Sequence, residues 1–441
     1  MAILNKSEKI YKLKIFGALL LAAQIIFLIY VAFIFLKKGY LPAPFFYDPF
    51  DTFMDFFNTN YWANMPGRYQ EWKSIYPIFT FFLAQWITPD SCINAASPLA
   101  LRDCSANSVW FLLASYLSGA IACAVLVIRQ INIAGLKRAA AFLLITTMVF
   151  LSLPGLFALE RGNYILVAFL FLALSECCGR NWKGALFLAL AINIKQYLLL
   201  LWLVPLLRRR YGYLMTCVLF SFCINLIAMI FVPEQHYFML FGNMLGFSQE
   251  EYPSYFEKMW YAISFSAWAG ALQFSAYIGH SLSPIVLKTG KFAVYSMRWI
   301  SVGLALVSFF VQSRRASEIS WELSSLLTLL ALLVVTGSPG GYALILLLPY
   351  LLVILARQEL LPPLILIFIL YCPLDITLGP HYWERRVDYL SGRNVSDYAG
   401  LTLGSYLRPG ALVLLMTYLI FEISGWKSNK NKLGNINVRL D

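Results

Sequence analysis

Two carboxylates, Asp51 and Asp55, stand in the stretch Tyr47-Asp-Pro-Phe-Asp-Thr-Phe-Met-Asp-Phe-Phe-Asn58, directly after the first long apolar run of the chain. Asp48 precedes them and aromatic side chains follow. At a bilayer surface such a carboxylate can take the proton from an attacking hydroxyl that comes within hydrogen-bond reach. An aspartate near a helix start also caps free backbone N–H groups, so both roles stand open for the pair. Lys195 lies in the middle of another apolar stretch. An ammonium there is costly and marks a functional site by default, with snorkelling to the interface as the alternative. A late segment, His381-Tyr-Trp-Glu-Arg385-Arg386-Val-Asp388 and on through Arg393, mixes arginines with aromatic rings. Guanidinium forks suit phosphate or carboxylate and flat rings suit sugar faces, although internal ion pairs of a solvated loop explain the same composition.

These residues sit in a membrane protein. Hydrophobic residues make up 60% of the 441 and charged residues 13%, with a mean hydropathy of +0.69, far outside the soluble range. Runs of about 20 apolar residues span a bilayer as helices. The clearest are 15–36, 110–128, 139–156, 214–232 and 292–311, with shorter candidates at 326–336, 342–355, 360–371 and 411–421 and others after Arg161 and Trp182. The first run is too long for a cleavable signal and lacks a small-residue cleavage site, so it reads as a retained helix. The pattern predicts an all-α polytopic membrane protein, a bundle of roughly 10–13 transmembrane or partial helices with interfacial helices in the first outer loop. One integral domain covers 1–426, with the first outer loop at 39–75 and a polar cytoplasmic tail at 427–441.

Charge sets the orientation. If the basic clusters at 6–14, 129–138, 176–183, 208–210, 314–322, 357–359 and the C-terminal tail all face the cytoplasm, they carry the entire net charge of +12 and the remaining segments are neutral. That is the positive-inside pattern, with both termini cytoplasmic and only Lys37-Lys38 against it. The basic balance therefore reports topology and contact with anionic lipid, not nucleic acid. Acidic residues collect in the opposite loops, including 40–75 and 374–407. Cys92 and Cys104 flank a polar loop on that side, where a disulfide would persist; the vicinal Cys177-Cys178 lacks metal-ligand spacing. With three histidines and no CxxC or HExxH, no protein-ligated zinc is expected. Asp51 and Asp55, with Glu71 nearby, could share a divalent cation, although no spacing compels one. The absence of a Walker loop and of GxGxxG argues against a nucleotide-driven pump.

Two segments position the charged residues. Residues 51–63 place Phe53, Phe56, Phe57 and Tyr61 at helical offsets, which reads as an interfacial helix with aromatics in lipid and carboxylates toward a cavity. Residues 184–207 begin after Lys183 and end at Arg208-Arg209-Arg210. A single span would put those basic ends on opposite sides. Two half-helices meeting at Lys195 keep them together and hold the ammonium near the outer face.

In order along the chain, these residues resemble the motifs of the GT-C superfamily, and most closely glycosyltransferase family 87, the polyprenyl-phosphate-mannose-dependent mannosyltransferase type. Asp55-Phe followed by Trp62-Ala63 is similar to the family's loop-one aspartate and aromatic-alanine segment. Tyr76-Pro77 resembles its Tyr-Pro-Pro, with Ile78 in place of the second proline. Arg161-Gly162-Asn163 stands where the family has Gly-Gln or Gly-Asn before a short helix. Gly184 through Asn193-Ile-Lys195 resembles its leucine-rich Ile-Lys-Pro stretch, with Gln196 for proline. Ile263 to Gly270 is a loose version of an Asn-Gln-Ser-Leu-x-Gly segment without the Asn-Gln, and Ser338-Pro339 resembles a late turn. The resemblance covers about residues 50–340. It implies an inverting transferase of the bacterial inner membrane. The enzyme would move a hexose, mannose favoured, from a polyprenyl-phosphate-linked donor to a glycan or glycolipid acceptor at the periplasmic or exterior face. On that footing Asp55, then Asp51, is the base, Lys195, Arg161 and His280 meet the lipid phosphate, and Tyr76, Arg385, Arg386 and Arg393 contact acceptor or phosphate. Two other classes share the outline. An O-antigen polymerase or ligase would rely on the late Arg/His loop and dispense with Asp51 and Asp55. A lipid-linked glycan flippase would show two related halves, and no repeat is visible.

Overall fold

The structure is a computed structural model that describes residues 6–42, 45, 51–134, 138–249, 284–336, 340–357, 362–376, 381–382, 386–395, 398–399 and 402–430. Helix α1 (Lys6–Lys38) is followed by α2 (Met54–Asn64), α3 (Ile78–Ile87) and α4 (Pro98–Cys104). Then come α5 (Val109–Ala134), α6 (Arg138–Ile145), α7 (Leu153–Arg161) and α8 (Ile165–Cys178). The middle of the chain forms α9 (Trp182–Ile192), α10 (Leu203–Leu207), α11 (Tyr211–Phe231) and α12 (Met239–Gln249). The last helices are α13 (Pro284–Arg314), α14 (Trp321–Val335), α15 (Leu348–Arg357), α16 (Leu364–Tyr371) and α17 (Leu403–Lys430). The only strands among the described residues form two short antiparallel pairs in the late loop, 381–382 with 398–399 and 386–387 with 394–395. Helix α17 reaches Lys430, so the first residues of the expected tail are helical.

Among the described residues, five helical stretches are long and apolar enough to cross a membrane, Glu8–Lys38, Ala106–Gln130, Arg138–Arg161, Tyr211–Phe231 and Tyr406–Gly425, with shorter apolar helices between them. The all-α polytopic architecture read from hydropathy is therefore the one observed. Helices α8 and α15 are apolar all round because both are enclosed: Ile165, Leu166, Ala168 and Phe169 have no exposed surface, nor do Leu348, Leu352 and Leu355. Gly119 brings α5 close to α8, since a Cβ there would lie 2.7 Å from the Phe169 ring. Large apolar side chains stay exposed on α1, α11 and α13, among them Ile29, Leu36, Ile230, Phe292 and Trp299. That outer belt suits lipid, which is as apolar as the side chains facing it.

The span 138–161 is not one regular helix. Between α6 and α7 the backbone widens into a π turn, Thr146–Phe150, which leaves carbonyls without the usual N–H four residues on. Two side chains take them up. Gln24 of α1 donates to Thr147 O and Leu151 O, both at 2.8 Å, and the Tyr116 hydroxyl of α5 donates to Val149 O at 3.0 Å or Phe150 O at 3.2 Å. Pro154 then opens α7 in its first turn, where its missing N–H costs nothing. Replacing Gln24 by leucine removes the donor from the buried Thr147 carbonyl, at about 1–3 kcal/mol, and from the part-buried Leu151 carbonyl, at less. We expect a clear drop in melting temperature of the reconstituted protein, and an unchanged transition contradicts this account of the π turn.

Residues 182–207 fold as a hairpin within the bundle. Asn181 caps α9 by accepting from Lys183 N and Gly184 N at 2.9 and 3.2 Å. The 11 residues of α9 rise about 16 Å, half the thickness of a hydrocarbon core. The helix ends at the turn 193–195, and a 3₁₀ segment Gln196–Trp202 and α10 lead back. Both ends reach one tryptophan: the guanidinium of Arg180 lies 4.4 Å from the Trp321 ring and that of Arg208 5.9 Å. The basic flanks thus share one side of the molecule, and the polar turn with Lys195 lies at the other end. Thr80 on α3 can donate to Asn193 O or Ile194 O at 3.3 Å, and Gln196 donates to Ile75 O.

Helix α2 differs from its expected orientation. Phe56 and Phe57 have no exposed surface, and Phe56 stacks on Tyr164 at 5.4 Å. Its phenylalanines therefore fill a protein interior rather than lipid, because the corner between α7 and α8 offers them an aromatic partner.

Candidate active site

The site grows from the end of α7. Asn163 N donates to Ala158 O at 2.8 Å and Gly162 N to Leu159 O at 3.0 Å, the paired bonds of a Schellman stop with glycine in the left-handed position. Gly162 has φ +69°, and a Cβ there would meet Phe53 O at 2.8 Å and Phe53 Cα at 2.9 Å. Phe53 is itself left-handed, with φ 63°, and its N–H donates to Glu160 O at 2.8 Å. Residues 51–55 are thereby docked on the last turn of α7. We expect Gly162→Ala to push this loop off α7 and abolish most activity while the helices persist, because left-handed strain and the backbone clash add. A wild-type rate in that variant contradicts the docking.

Charge does the rest. Arg161 Nη2 lies 2.5 Å from Asp51 Oδ2 and 3.3 Å from Asp55 Oδ1, with the guanidinium 8% exposed and each carboxylate 26% exposed. Asn163 Nδ2 donates to the other oxygen, Asp55 Oδ2, at 2.8 Å, while its own Oδ1 accepts from Ile165 N at 2.9 Å. The amide is therefore oriented by backbone and in turn orients Asp55. Asp55 also lies in the first turn of α2, where the helix dipole favours a negative charge. Beneath the loop Glu160 is buried, and its Oε1 accepts from Thr52 Oγ1 at 3.4 Å.

Lys195 joins the carboxylates. Its Nζ donates to the Tyr76 hydroxyl at 3.1 Å and lies 4.3 Å from that ring's centre, within electrostatic range of Asp55. Burial first, then the Asp55 carboxylate, pushes the Tyr76 phenol well above its ordinary range, so it stays a neutral hydroxyl. Tyr76 packs edge-on to Tyr164, whose hydroxyl donates to Asn60 Oδ1 at 2.7 Å. Tyr342 lies within electrostatic range of Asp55, Tyr76, Tyr197 and Arg161.

Outer elements brace the loop. Cys92 and Cys104 are joined by a disulfide that fastens α4, whose Arg102 donates to Thr52 O at 2.9 Å and lies 3.9 Å from the Tyr389 ring centre. Burial lowers the Arg102 pKa from its ordinary value. Tyr389, from the late loop, also meets Phe53 edge-on.

Asp51 and Asp55, Tyr76, Arg161 and Lys195 thus converge from four places in the chain. Arg393 does not join them: its Nη1 donates to Leu36 O at 2.9 Å, tying the late loop to the end of α1. Arg386 pairs through its backbone with Val395. The side chain of His381 lies outside the described residues, as do Asp48, His280, Arg385, 263–270 and Ser338-Pro339. No group of three His, Cys, Asp or Glu that could hold a metal occurs among the described residues, and the Arg161 guanidinium lies where Asp51 and Asp55 would share a cation. Asn163, Glu160, Tyr164, Tyr342, Arg102 and Tyr389 were missing from the sequence-derived set. The run Glu160-Arg161-Gly162-Asn163 at the end of an apolar stretch was the available signal for the first two.

A carboxylate held in place beside an arginine, with a lysine in electrostatic range, suits taking a proton from an attacking hydroxyl. No curated protein and no solved structure matches the chain. A family model does, that of glycosyltransferase family 87, over residues 91–336. The match takes in Arg161, Gly162, Asn163 and Lys195, while Asp51 and Asp55 precede it and join the site through their bonds to Arg161 and Asn163. Because more than half of the sequence fits that one family, this chain belongs to glycosyltransferase family 87 and is a membrane-embedded glycosyltransferase.

Proposed function

We propose that the protein moves a hexose, mannose favoured, from a polyprenyl-phosphate-linked donor to a lipid-linked or surface glycan acceptor. The transfer inverts the anomeric carbon and occurs on the outer face of the bacterial inner membrane, with both termini cytoplasmic. The observation that carries the reading is the juxtaposition of Asp55 with the hydrogen-bonded Lys195–Tyr76 pair, which lies in electrostatic range of its carboxylate. Asp55 accepts the proton of the acceptor hydroxyl as its oxygen attacks the anomeric carbon from the face opposite the phosphate. The bond between that carbon and the phosphate oxygen breaks, and polyprenyl phosphate leaves with the electron pair. Lys195 meets the charge that develops on it, in a setting where a fixed cation is worth more than in water. Asp51, in the shorter contact with Arg161, serves as that arginine's counter-ion and leaves Asp55 as the base.

Replacing Lys195 by methionine keeps the stem and removes the charge. We expect a fall in kcat/KM of about 10²–10³-fold with polyprenyl-phosphate donors; less than threefold would remove Lys195 from the phosphate site. The function itself is tested by deleting the gene and profiling surface glycans and lipid-linked intermediates by mass spectrometry. Loss of one hexose with accumulation of the unextended acceptor supports the reading. An unchanged glycan profile, or accumulation of complete unpolymerised repeats, contradicts it.

A further inference from the structure

The face of α2 that carries Asp55 continues beyond it. Met54, Phe56, Phe57, Thr59, Asn60 and Ala63 are buried, whereas Asp55, Asn58, Tyr61 and Trp62 keep partial exposure. Those four follow one another at i, i+3, i+6 and i+7, so they form a single open stripe along the helix. Its composition is a carboxylate, an amide and two aromatic rings.

A second segment is turned onto the far end of this stripe. Trp72 stacks on Trp62 at 6.1 Å and 22°, and Tyr61 meets it edge-on at 6.0 Å, yet Trp72 remains 37% exposed. The loop that carries it is strongly constrained. Glu71 N and Trp72 N both donate to Gly67 O at 2.7 and 3.2 Å, and Ser74 N donates to Arg68 O. Lys73 is held left-handed at φ 46°, a strained conformation that persists only where its surroundings over-determine it. Arg68 joins Ala63 O on α2 to Glu234 through a buried ion pair. Asn243 of α12 donates to Tyr69 O at 2.8 Å and Ser74 O at 3.1 Å.

We infer that this stripe is the docking track of the acceptor glycan, with sugars behind the reacting one stacking on the Trp62–Trp72 platform. The inference rests on the transferase reading and assigns its acceptor subsites. Seven residues of helix separate Trp62 from Asp55, a rise of about 10 Å, which is about two hexose units. Lipid would need neither the Asn58 amide nor a ring fixed in place, whereas a saccharide uses polar groups for its hydroxyls and rigid aromatic faces for its C–H surface.

The test is binding, which needs no turnover. Wild type, Trp72→Ala, Asn58→Ala and a control, Trp86→Ala, whose indole on α3 is exposed, are reconstituted in nanodiscs and titrated by saturation-transfer NMR. The probes are octyl glycosides carrying one or three mannose, glucose or galactose units. In at least one series the trisaccharide binds wild type about tenfold more tightly than the monosaccharide. That difference disappears in Trp72→Ala, shrinks in Asn58→Ala and survives in Trp86→Ala. No preference for the longer glycoside in any series overturns the inference, as does equal weakening of both lengths or the same loss in Trp86→Ala. A protein that shows the length dependence and yet transfers no sugar retires the transferase reading and leaves the glycan track standing.

Discussion

Replacing Asp55 by asparagine lowers kcat by about 10²–10⁴-fold, the range expected when a general base is removed, while donor binding changes little. The substitution is nearly isosteric. Asn163 donates to Oδ2 at 2.8 Å and Arg161 lies 3.3 Å from Oδ1. The new amide oxygen keeps one of these donors while its NH2 faces the other, and the Asp51–Arg161 and Phe53–Glu160 contacts keep the loop docked on α7. Asp51→Asn has a smaller effect on chemistry and a larger one on folding, because it weakens the 2.5 Å contact that neutralises Arg161. Single-turnover rates with donor pre-bound separate the two variants. If Asp51→Asn loses more chemistry than Asp55→Asn at equal folded fraction, the roles are reversed.

Removing Arg161 has the largest effect on folding. The guanidinium is 8% exposed and bonds to Asp51 and Asp55, with buried Glu160 adjacent. Arg161→Leu leaves those carboxylates facing one another without their cation, and breaking a buried pair in this way costs about 3–5 kcal/mol. We expect low yield and an early thermal transition in nanodiscs. Arg161→Lys restores only part of the stability: a single nitrogen, Nη2, meets both carboxylates, and an ammonium can stand in for it but not for Nη1, which donates to Asp51 O at 3.4 Å. The double variant Arg161→Leu with Asp51→Asn recovers part of the stability, because it withdraws one of the charges left unpaired. A wild-type transition in Arg161→Leu contradicts the view that this arginine holds the loop.

Much of this arrangement is written in charges placed against the apolar background. The hairpin around Lys195 is legible because Lys183 and Arg208 flank a stretch too short to cross twice as full helices, and the Trp321 contacts of Arg180 and Arg208 bear that geometry out. Asp51, Asp55 and Arg161 are legible as charges at the ends of apolar runs. Asn163 and Tyr164 are harder to find, since a neutral amide and a phenol cost little to leave in a loop, and they meet Asp55 and Asn60 across more than a hundred residues of sequence. The orientation of α2 was misread for a physical reason. A phenylalanine facing lipid and one facing protein have the same hydropathy, and only the Tyr164 ring decides between them. Arg393 shows the converse: a fork suited to phosphate serves the free carbonyl of Leu36 equally well.

The most direct test of the central claim is sugar transfer by purified protein in proteoliposomes supplied with a radiolabelled polyprenyl-phosphate hexose and extracted envelope acceptors, comparing wild type with Asp55→Asn at matched folded fraction. The account predicts a wild-type glycosidic product of inverted configuration, released polyprenyl phosphate, and loss of at least 99% of that rate in Asp55→Asn, the lower bound for removing the base. Transfer from a nucleotide sugar instead, or an Asp55→Asn protein that works as fast as wild type, contradicts it.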